Sequence, residues 1–210
     1  METFFVSTGT VALAELGDKT MLLALALAAR YRAPLPIILG ILIATLANHA
    51  LAGALGAGIQ SLVGGDALRY AVGAGFLAIA VWMMVPDKPT ARTFGEDMGP
   101  LVATIVSFFI AEMGDKTQLA TVSLAGHSHS LILVIVGTTL GMLLVNVPVV
   151  LVGNSAGKHL PLGLIRGIAA LVFAAVGVLI LAGIDFGLTD GLEPAPQPGE
   201  TEVSPAPEGS

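Results

Sequence analysis

Two six-residue stretches place charged side chains inside long apolar segments, and we call them the first and second motif. Residues 15–20 read Glu-Leu-Gly-Asp-Lys-Thr and residues 112–117 read Glu-Met-Gly-Asp-Lys-Thr, so five of six positions match at an offset of 97. A charge inside a membrane span is costly unless it is paired, and it therefore indicates function by default. Each motif carries two acids and one base, and surplus buried carboxylate requires a cation or protons. The motifs therefore predict a site for one or both.

The four acids of the motifs are the leading candidates for metal ligands: Glu15, Asp18, Glu112 and Asp115. If the motifs meet, these carboxylates form a cluster of hard oxygen ligands, which suits a divalent cation such as Ca²⁺ or Mn²⁺. The other motif residues would support the site: Gly17, Lys19, Thr20, Gly114, Lys116 and Thr117. The glycines permit close backbone approach or local unwinding. Lys19 lies four residues after Glu15 and could pair with it along one helix face. Structural Glu–Lys bridges alone would not need the two aspartates.

Four more side chains are weaker candidates for the same site. Gln118 follows the second motif and offers a carbonyl oxygen. Met21 follows the first motif and offers a thioether that would favour a transition metal, or it simply packs. Asn48 and Asn146 fall on the second helix of each half. Asn146 also lies just before Pro148, which should kink its helix, so this amide could instead satisfy a freed backbone group.

The composition predicts an integral membrane protein. Hydrophobic residues make up 55% of the 210 residues and charged residues only 11%, whereas about a quarter of a soluble domain is charged. Mean hydropathy is +0.88. Six apolar segments are each long enough for a transmembrane helix of about 20 residues: 3–29, 34–59, 67–86, 99–126, 129–156 and 162–184. The chain has no cysteine, which excludes disulfides and thiolate metal sites, and His49 and His159 are not clustered with other ligands.

The two halves of the chain repeat each other beyond the motifs. At the same offset, Gly40 matches Gly137 and Phe76 matches Phe173, while the two asparagines slip by one position. A repeat of three spans must insert its second copy upside down, an arrangement common in secondary transporters. We therefore predict an all-α membrane protein of six transmembrane helices in two inverted three-helix repeats, with helices one and four adjacent at the centre. The predicted units are a first repeat (1–86), a cytoplasmic linker (87–98), a second repeat (99–184) and a disordered, acidic, Pro-rich tail (185–210).

The basic residues of the loops predict the orientation in the membrane. Six of them follow helices one, three and five: Arg30, Arg32, Lys88, Arg92, Lys158 and Arg166. The loops on the opposite side contain Arg69 alone. Because cytoplasmic loops are enriched in Lys and Arg, both termini should lie outside the cytoplasm.

The doubled Glu-x-Gly-Asp-Lys-Thr motif in a chain of six spans resembles the cation antiporter family that includes the Golgi Gdt-type manganese/calcium transporters and bacterial manganese exporters. The resemblance covers about residues 1–184. It implies export of Mn²⁺ or Ca²⁺ from the cytosol in exchange for protons, with the four motif acids binding the cation. By analogy with the bacterial members, it favours Mn²⁺ and a bacterial inner membrane.

Other classes of function fit the sequence less well. An intramembrane aspartyl protease would need Gly-x-Gly-Asp, but this chain has Glu15 and Glu112 at the first glycine position. A divalent-cation channel or a membrane scaffold without coupled transport stays open as an alternative. The expected partners are a divalent metal ion and the lipid bilayer, without nucleic acid and without a cofactor other than the transported ions. The sequence leaves a homo-oligomer open.

Overall fold

The computed structural model describes residues 1–63, 66–85, 93–94, 96–128, 130–152 and 162–184. Over these residues the chain forms eight α-helices and a short 3₁₀ turn, Glu96–Met98. The helices are α1 (Glu2–Glu15), α2 (Lys19–Tyr31), α3 (Pro34–Leu62), α4 (Asp66–Met83), α5 (Gly99–Glu112), α6 (Lys116–Ala125), α7 (Leu131–Val152) and α8 (Leu162–Leu181). The predicted tail, most of the predicted linker, Lys88, Arg92, Lys158 and His159 lie outside the described residues.

The first and fourth predicted spans, 3–29 and 99–126, are each divided into two helices at the motif. The break occurs at Gly17 and Gly114, which have φ angles of 77° and 73°. A left-handed backbone costs an L-residue with a side chain but not glycine, so these positions end one helix and redirect the chain into the next. Of the two roles expected for the glycines, the structure shows local unwinding.

Each half contributes a motif helix that packs against the other half: α1 lies against α7, and α5 lies against α3. Glycines permit both contacts. A Cβ added at Gly40 would lie 2.6 Å from the Thr104 Cβ, and one added at Gly137 would lie 2.9 Å from the Ser7 Cβ. Ser7 and Thr104 are themselves separated by 97 positions. The same contact therefore occurs twice, which supports the internal duplication.

The last helices of the two halves also contact each other. α4 lies against α8, and the rings of Phe76 and Phe173 stack with their centroids 5.6 Å apart. These two residues are equivalent in the repeat, and equivalent residues that contact each other must lie near the axis that relates the two halves. α3 also packs directly on α7.

The helices expose apolar side chains and bury polar ones. Leu55, Ile132 and Leu171 are 63%, 73% and 72% exposed, whereas the acids of both motifs are buried. Within the described part of the chain, α3 and α7 are long and apolar enough to cross a bilayer, and α4, α5 and α8 contain shorter apolar helices. An apolar exterior around a polar interior is the arrangement expected of a protein solvated by lipid.

Replacing Gly56 by alanine should destabilise the protein, because a Cβ there would overlap the Val122 carbonyl oxygen of α6. We expect a loss of about 1–3 kcal/mol from overpacking, measured as thermal stability in detergent. Gly58→Ala is the matched control on the same helix. Its Cβ would have nothing within 4 Å, and alanine is the better helix former by about 1 kcal/mol. Equal stability of the two variants would contradict the α3–α6 packing.

Candidate cation site

The helix breaks determine where the motif acids lie. Glu15 and Glu112 are the last residues of α1 and α5, whereas Asp18 and Asp115 are the N-caps of α2 and α6. Neither aspartate side chain makes a capping hydrogen bond, so both carboxylates remain available to other partners. The N-terminal ends of α2 and α6 also carry partial positive charge, which stabilises nearby carboxylates.

Acids from both halves converge in the interior. One carboxylate oxygen each from Glu15, Asp18 and Glu112 lies within 4.8 Å of the other two. The fourth acid, Asp115, is likewise buried. This spacing allows one cation to contact several of these oxygens at the usual ligand distances of about 2.0–2.6 Å.

The motif lysines pair with the aspartates of the opposite motif. Lys116 Nζ lies 2.6 Å from Asp18 Oδ1, and Lys19 Nζ lies 3.3 Å from Asp115 Oδ2. The expected pairing of Lys19 with Glu15 was therefore wrong. That pairing needs a continuous helix, and the break at Gly17 carries Lys19 onto a different helix from Glu15. The crossed pairs join the two halves at the site.

The motif threonines and one asparagine orient the glutamates. Thr20 Oγ1 donates a hydrogen bond to Glu15, and Thr117 Oγ1 donates one to Glu112 Oε2 at 2.6 Å. Asn146 Nδ2 donates to Glu15 Oε1 at 2.9 Å and to the Met142 carbonyl at 3.1 Å. Pro148 would free the Leu144 carbonyl, not that of Met142. Asn146 therefore faces the carboxylates instead of satisfying the backbone at the proline.

The other sequence candidates lie around the site in different settings. Asn48 Nδ2 donates to the Phe109 carbonyl at 3.1 Å, on α5 just before the second motif. Gln118 Oε1 accepts the Gly114 N–H at 2.7 Å, so its carbonyl oxygen binds backbone in this structure. Met21 is buried on α2, two residues beyond Lys19. The structure brings Asn146 to the carboxylates directly and places Asn48, Gln118 and Met21 on the elements next to them.

Several oxygens at the site are buried without a hydrogen bond from any described residue: Glu15 Oε2, Glu112 Oε1, Asn48 Oδ1 and Asn146 Oδ1. Buried acceptors almost always have a partner. The bare oxygens of the two glutamates, with that of Asn146 beside them, are therefore suited to hold a cation, or protons when the cation is absent.

The two sides of the site differ in access. A cavity of about 250 Å³ reaches Asp115 and Gln118 and is otherwise mostly apolar, with Leu55, Trp82, Gly114, Leu119 and Val122 as its remaining lining. Lys19 is 26% exposed, whereas Lys116 is 1% exposed. The side of Asp115 is therefore the more open one in this conformation.

Broken helices that meet at the interface of two repeats, with more acids than bases, define a secondary transporter of cations. The chain belongs to the GDT1 family: the family described as "Divalent cation/proton antiporter GDT1" matches residues 3–91 and 100–185. A protein of Vibrio cholerae serotype O1 named "Putative manganese exporter" is 51% identical over 174 residues, which is 82% of this chain and 87% of that protein. No solved structure matches the chain. The protein is thus a membrane antiporter of divalent cations and protons and not an enzyme, which confirms what the resemblance of the doubled motif implied.

Lys116→Met should destabilise the protein more than Lys19→Met does. Removing one partner of a buried ion pair costs about 3–5 kcal/mol because the other charge stays buried, and Lys116 and Asp18 are both buried. Lys19 is partly exposed and a cavity reaches Asp115, so solvent can screen the charge that remains and the cost should be smaller, about 1 kcal/mol. Thermal unfolding of the two variants in one detergent tests this ranking, and a greater loss in Lys19→Met would reverse it.

Proposed function

We propose that this protein exports Mn²⁺ from the cytosol and exchanges each ion for two protons at a site built by Glu15, Asp18, Glu112 and Asp115. The observation that carries the proposal is the convergence of three buried carboxylate oxygens from both halves within 4.8 Å. Four carboxylates and two ammonium groups leave an excess of two negative charges. One divalent cation or two protons would neutralise that excess, so each form of the site is uncharged overall.

The ion pairs assign different roles to the four acids. Lys116 pairs with Asp18 and Lys19 pairs with Asp115, so each ammonium group offsets the charge of one aspartate. Among the described residues, neither Glu15 nor Glu112 forms an ion pair with a lysine, and these are the acids that take up the two protons when the cation leaves. Cation and protons then compete for the same oxygens, and this competition couples their movements. Because one buried site serves both, each must be released before the other binds.

Manganese is favoured over calcium by two observations of different kinds. The Vibrio relative is named for manganese export. Met21 is a buried thioether next to the first motif, and sulfur ligands favour transition metals over Ca²⁺. The carboxylate oxygens themselves suit both ions, since Mn²⁺ also binds oxygen ligands well.

The fold supports a six-span arrangement. α1 with α2 and α5 with α6 each form one interrupted span, and the other four helices supply one span each. Three spans in each half make the repeats inverted, with the motif breaks near the middle of the bilayer, as in other transporters with broken helices. Six spans put both termini on the same side of the membrane, and the basic residues of the loops indicate that this side is outside the cytoplasm. Because the chain has no cysteine, a Ser210→Cys variant can be labelled by an impermeant reagent; labelling only after permeabilisation would reverse this orientation.

Flux in liposomes tests the proposed function. Purified protein should accumulate Mn²⁺ when a pH gradient is imposed and should carry Mn²⁺ faster than Ca²⁺. A leak that ignores the gradient would indicate a channel, and no flux of either ion would indicate a scaffold. Faster Ca²⁺ than Mn²⁺ transport would retain the antiport and overturn the choice of ion.

A further inference from the structure

His49 is a buried polar residue on α3 that the site described above does not use. Its side chain is 0% exposed, and neither ring nitrogen has a hydrogen bond from the described residues. A neutral imidazole has one N–H donor and one bare acceptor nitrogen, and a buried imidazole needs a partner for each. A fully buried histidine without one is therefore a candidate ligand, provided that it lies close to the carboxylates.

Contacts on either side of His49 along α3 place it at the level of the second motif. One residue earlier, Asn48 donates to the Phe109 carbonyl, before the break between α5 and α6. Seven residues later, Gly56 lies against Val122 and Ala125, beyond that break. α3 therefore runs alongside α5 and then α6, and His49 lies between these two contacts along α3, at the level where α5 ends and α6 begins.

The helical periodicity gives the direction in which His49 points. At about 100° per residue, Gly53 and Gly56 lie within about 40° of His49 around α3. Gly53 contacts Leu131 and Ile135 of α7, and Gly56 contacts α6. His49 therefore points between α6 and α7, into the interior of the helix bundle, in agreement with its complete burial.

The repeat gives the same position independently. Gly40 and Gly137 make equivalent contacts in the two halves, so the offset of 97 holds along α3 and α7. In that register the counterpart of Asn146 is His49, not Asn48. Asn146 donates a hydrogen bond to Glu15 in the first motif. Its counterpart should therefore serve Glu112, whose Oε1 is buried without a hydrogen bond from the described residues.

We propose that His49 is a ligand of the transported cation on the Glu112 side of the site and that it makes the site prefer a transition metal over Ca²⁺. Imidazole nitrogen binds transition metals, whereas Ca²⁺ takes oxygen ligands almost exclusively. Asn146 offers only an amide on the other side, so the two halves of the site differ in chemistry. The proposal rests on the proposed function, because it assumes that Mn²⁺ binds among the motif acids.

Pulsed electron paramagnetic resonance of Mn²⁺ bound to the purified full-length protein tests this directly. We expect modulation from a coordinated histidine nitrogen in the unmodified protein, and a changed pattern when histidine is labelled with ¹⁵N. His49→Asn should abolish the signal while His127→Asn retains it. Bound Mn²⁺ without nitrogen coupling would exclude His49 as a ligand and would leave the proposed antiport unaffected. Mn²⁺ that does not bind at all would overturn both.

Affinities measured by calorimetry provide the second readout. His49→Asn recreates the residue of the other half, so its side chain can still hydrogen-bond a carboxylate but offers no imidazole. The Mn²⁺ affinity should fall by about 10-fold or more, while the Ca²⁺ affinity changes by less than about 3-fold. Equal losses for both ions would show a structural role only, and unchanged affinities would remove His49 from the site; either result overturns the proposal.

Discussion

Mn²⁺ transport into liposomes should fall by about 100-fold when Glu15 or Glu112 is replaced by glutamine. Each substitution removes one of the two negative charges that balance the divalent cation, while the size of the side chain stays nearly the same. The loss of a charged partner at a buried site typically costs about 2–5 kcal/mol, and 100-fold corresponds to about 2.8 kcal/mol. Glu2→Gln, at the exposed start of α1, is the matched control and should transport normally.

The residual transport of these variants should also become sensitive to voltage. The unmodified site exchanges one divalent cation for two protons and moves no net charge. With one glutamate neutralised, a transport cycle exchanges one divalent cation for one proton and so moves one net positive charge across the membrane. A potential of 100 mV changes the free energy of that movement by about 2.3 kcal/mol. Full activity in both glutamine variants, or equal voltage dependence in all of them, would contradict the roles assigned to Glu15 and Glu112.

The affinity for Mn²⁺ should fall steeply as the pH is lowered. Where the empty site holds two protons that the cation must displace, the affinity changes by about 100-fold per pH unit, because metal binding and proton release are linked. In Glu112→Gln one proton remains to be displaced, so the dependence should decrease to about 10-fold per pH unit. Equilibrium binding of Mn²⁺ at a series of pH values measures both slopes.

A Mn²⁺ affinity that is the same at every pH in the unmodified protein would contradict this prediction. An unchanged slope in Glu112→Gln would show that a group other than Glu112 takes up the proton. Glu2→Gln again serves as the control, since its side chain lies far along α1 from the motif.

The amino-acid sequence was sufficient to predict the duplication and the meeting of the two motifs. Charged residues in apolar segments are rare enough to stand out, and the offset that relates them also relates Gly40 to Gly137 and Phe76 to Phe173. The contacts of these residues follow from the repeat, because equivalent residues must find equivalent surroundings. The repeat and the meeting of its motifs could therefore be predicted from the amino-acid sequence.

The helix breaks and the pairing of charges could not be predicted in the same way. Gly17 permits either close packing or unwinding, and only the tertiary structure decides between them. Once the helix ends at Glu15, the rule that relates a residue to the fourth one after it no longer applies, so Lys19 pairs with Asp115 across the repeat. The sequence analysis did not predict the role proposed for His49, because it paired Asn146 with Asn48 as residues of the same type. The offset of 97 that relates the two backbones pairs Asn146 with His49 instead.

The proposed exchange requires that one buried cluster of acids binds either a divalent cation or protons. Calorimetry of Mn²⁺ binding in buffers of different ionisation enthalpy tests this claim, because the dependence on buffer gives the number of protons released per ion. Between pH 6 and 8 we predict that this number approaches two in the unmodified protein and one in Glu112→Gln. Mn²⁺ that binds with no release of protons across this range would contradict the claim.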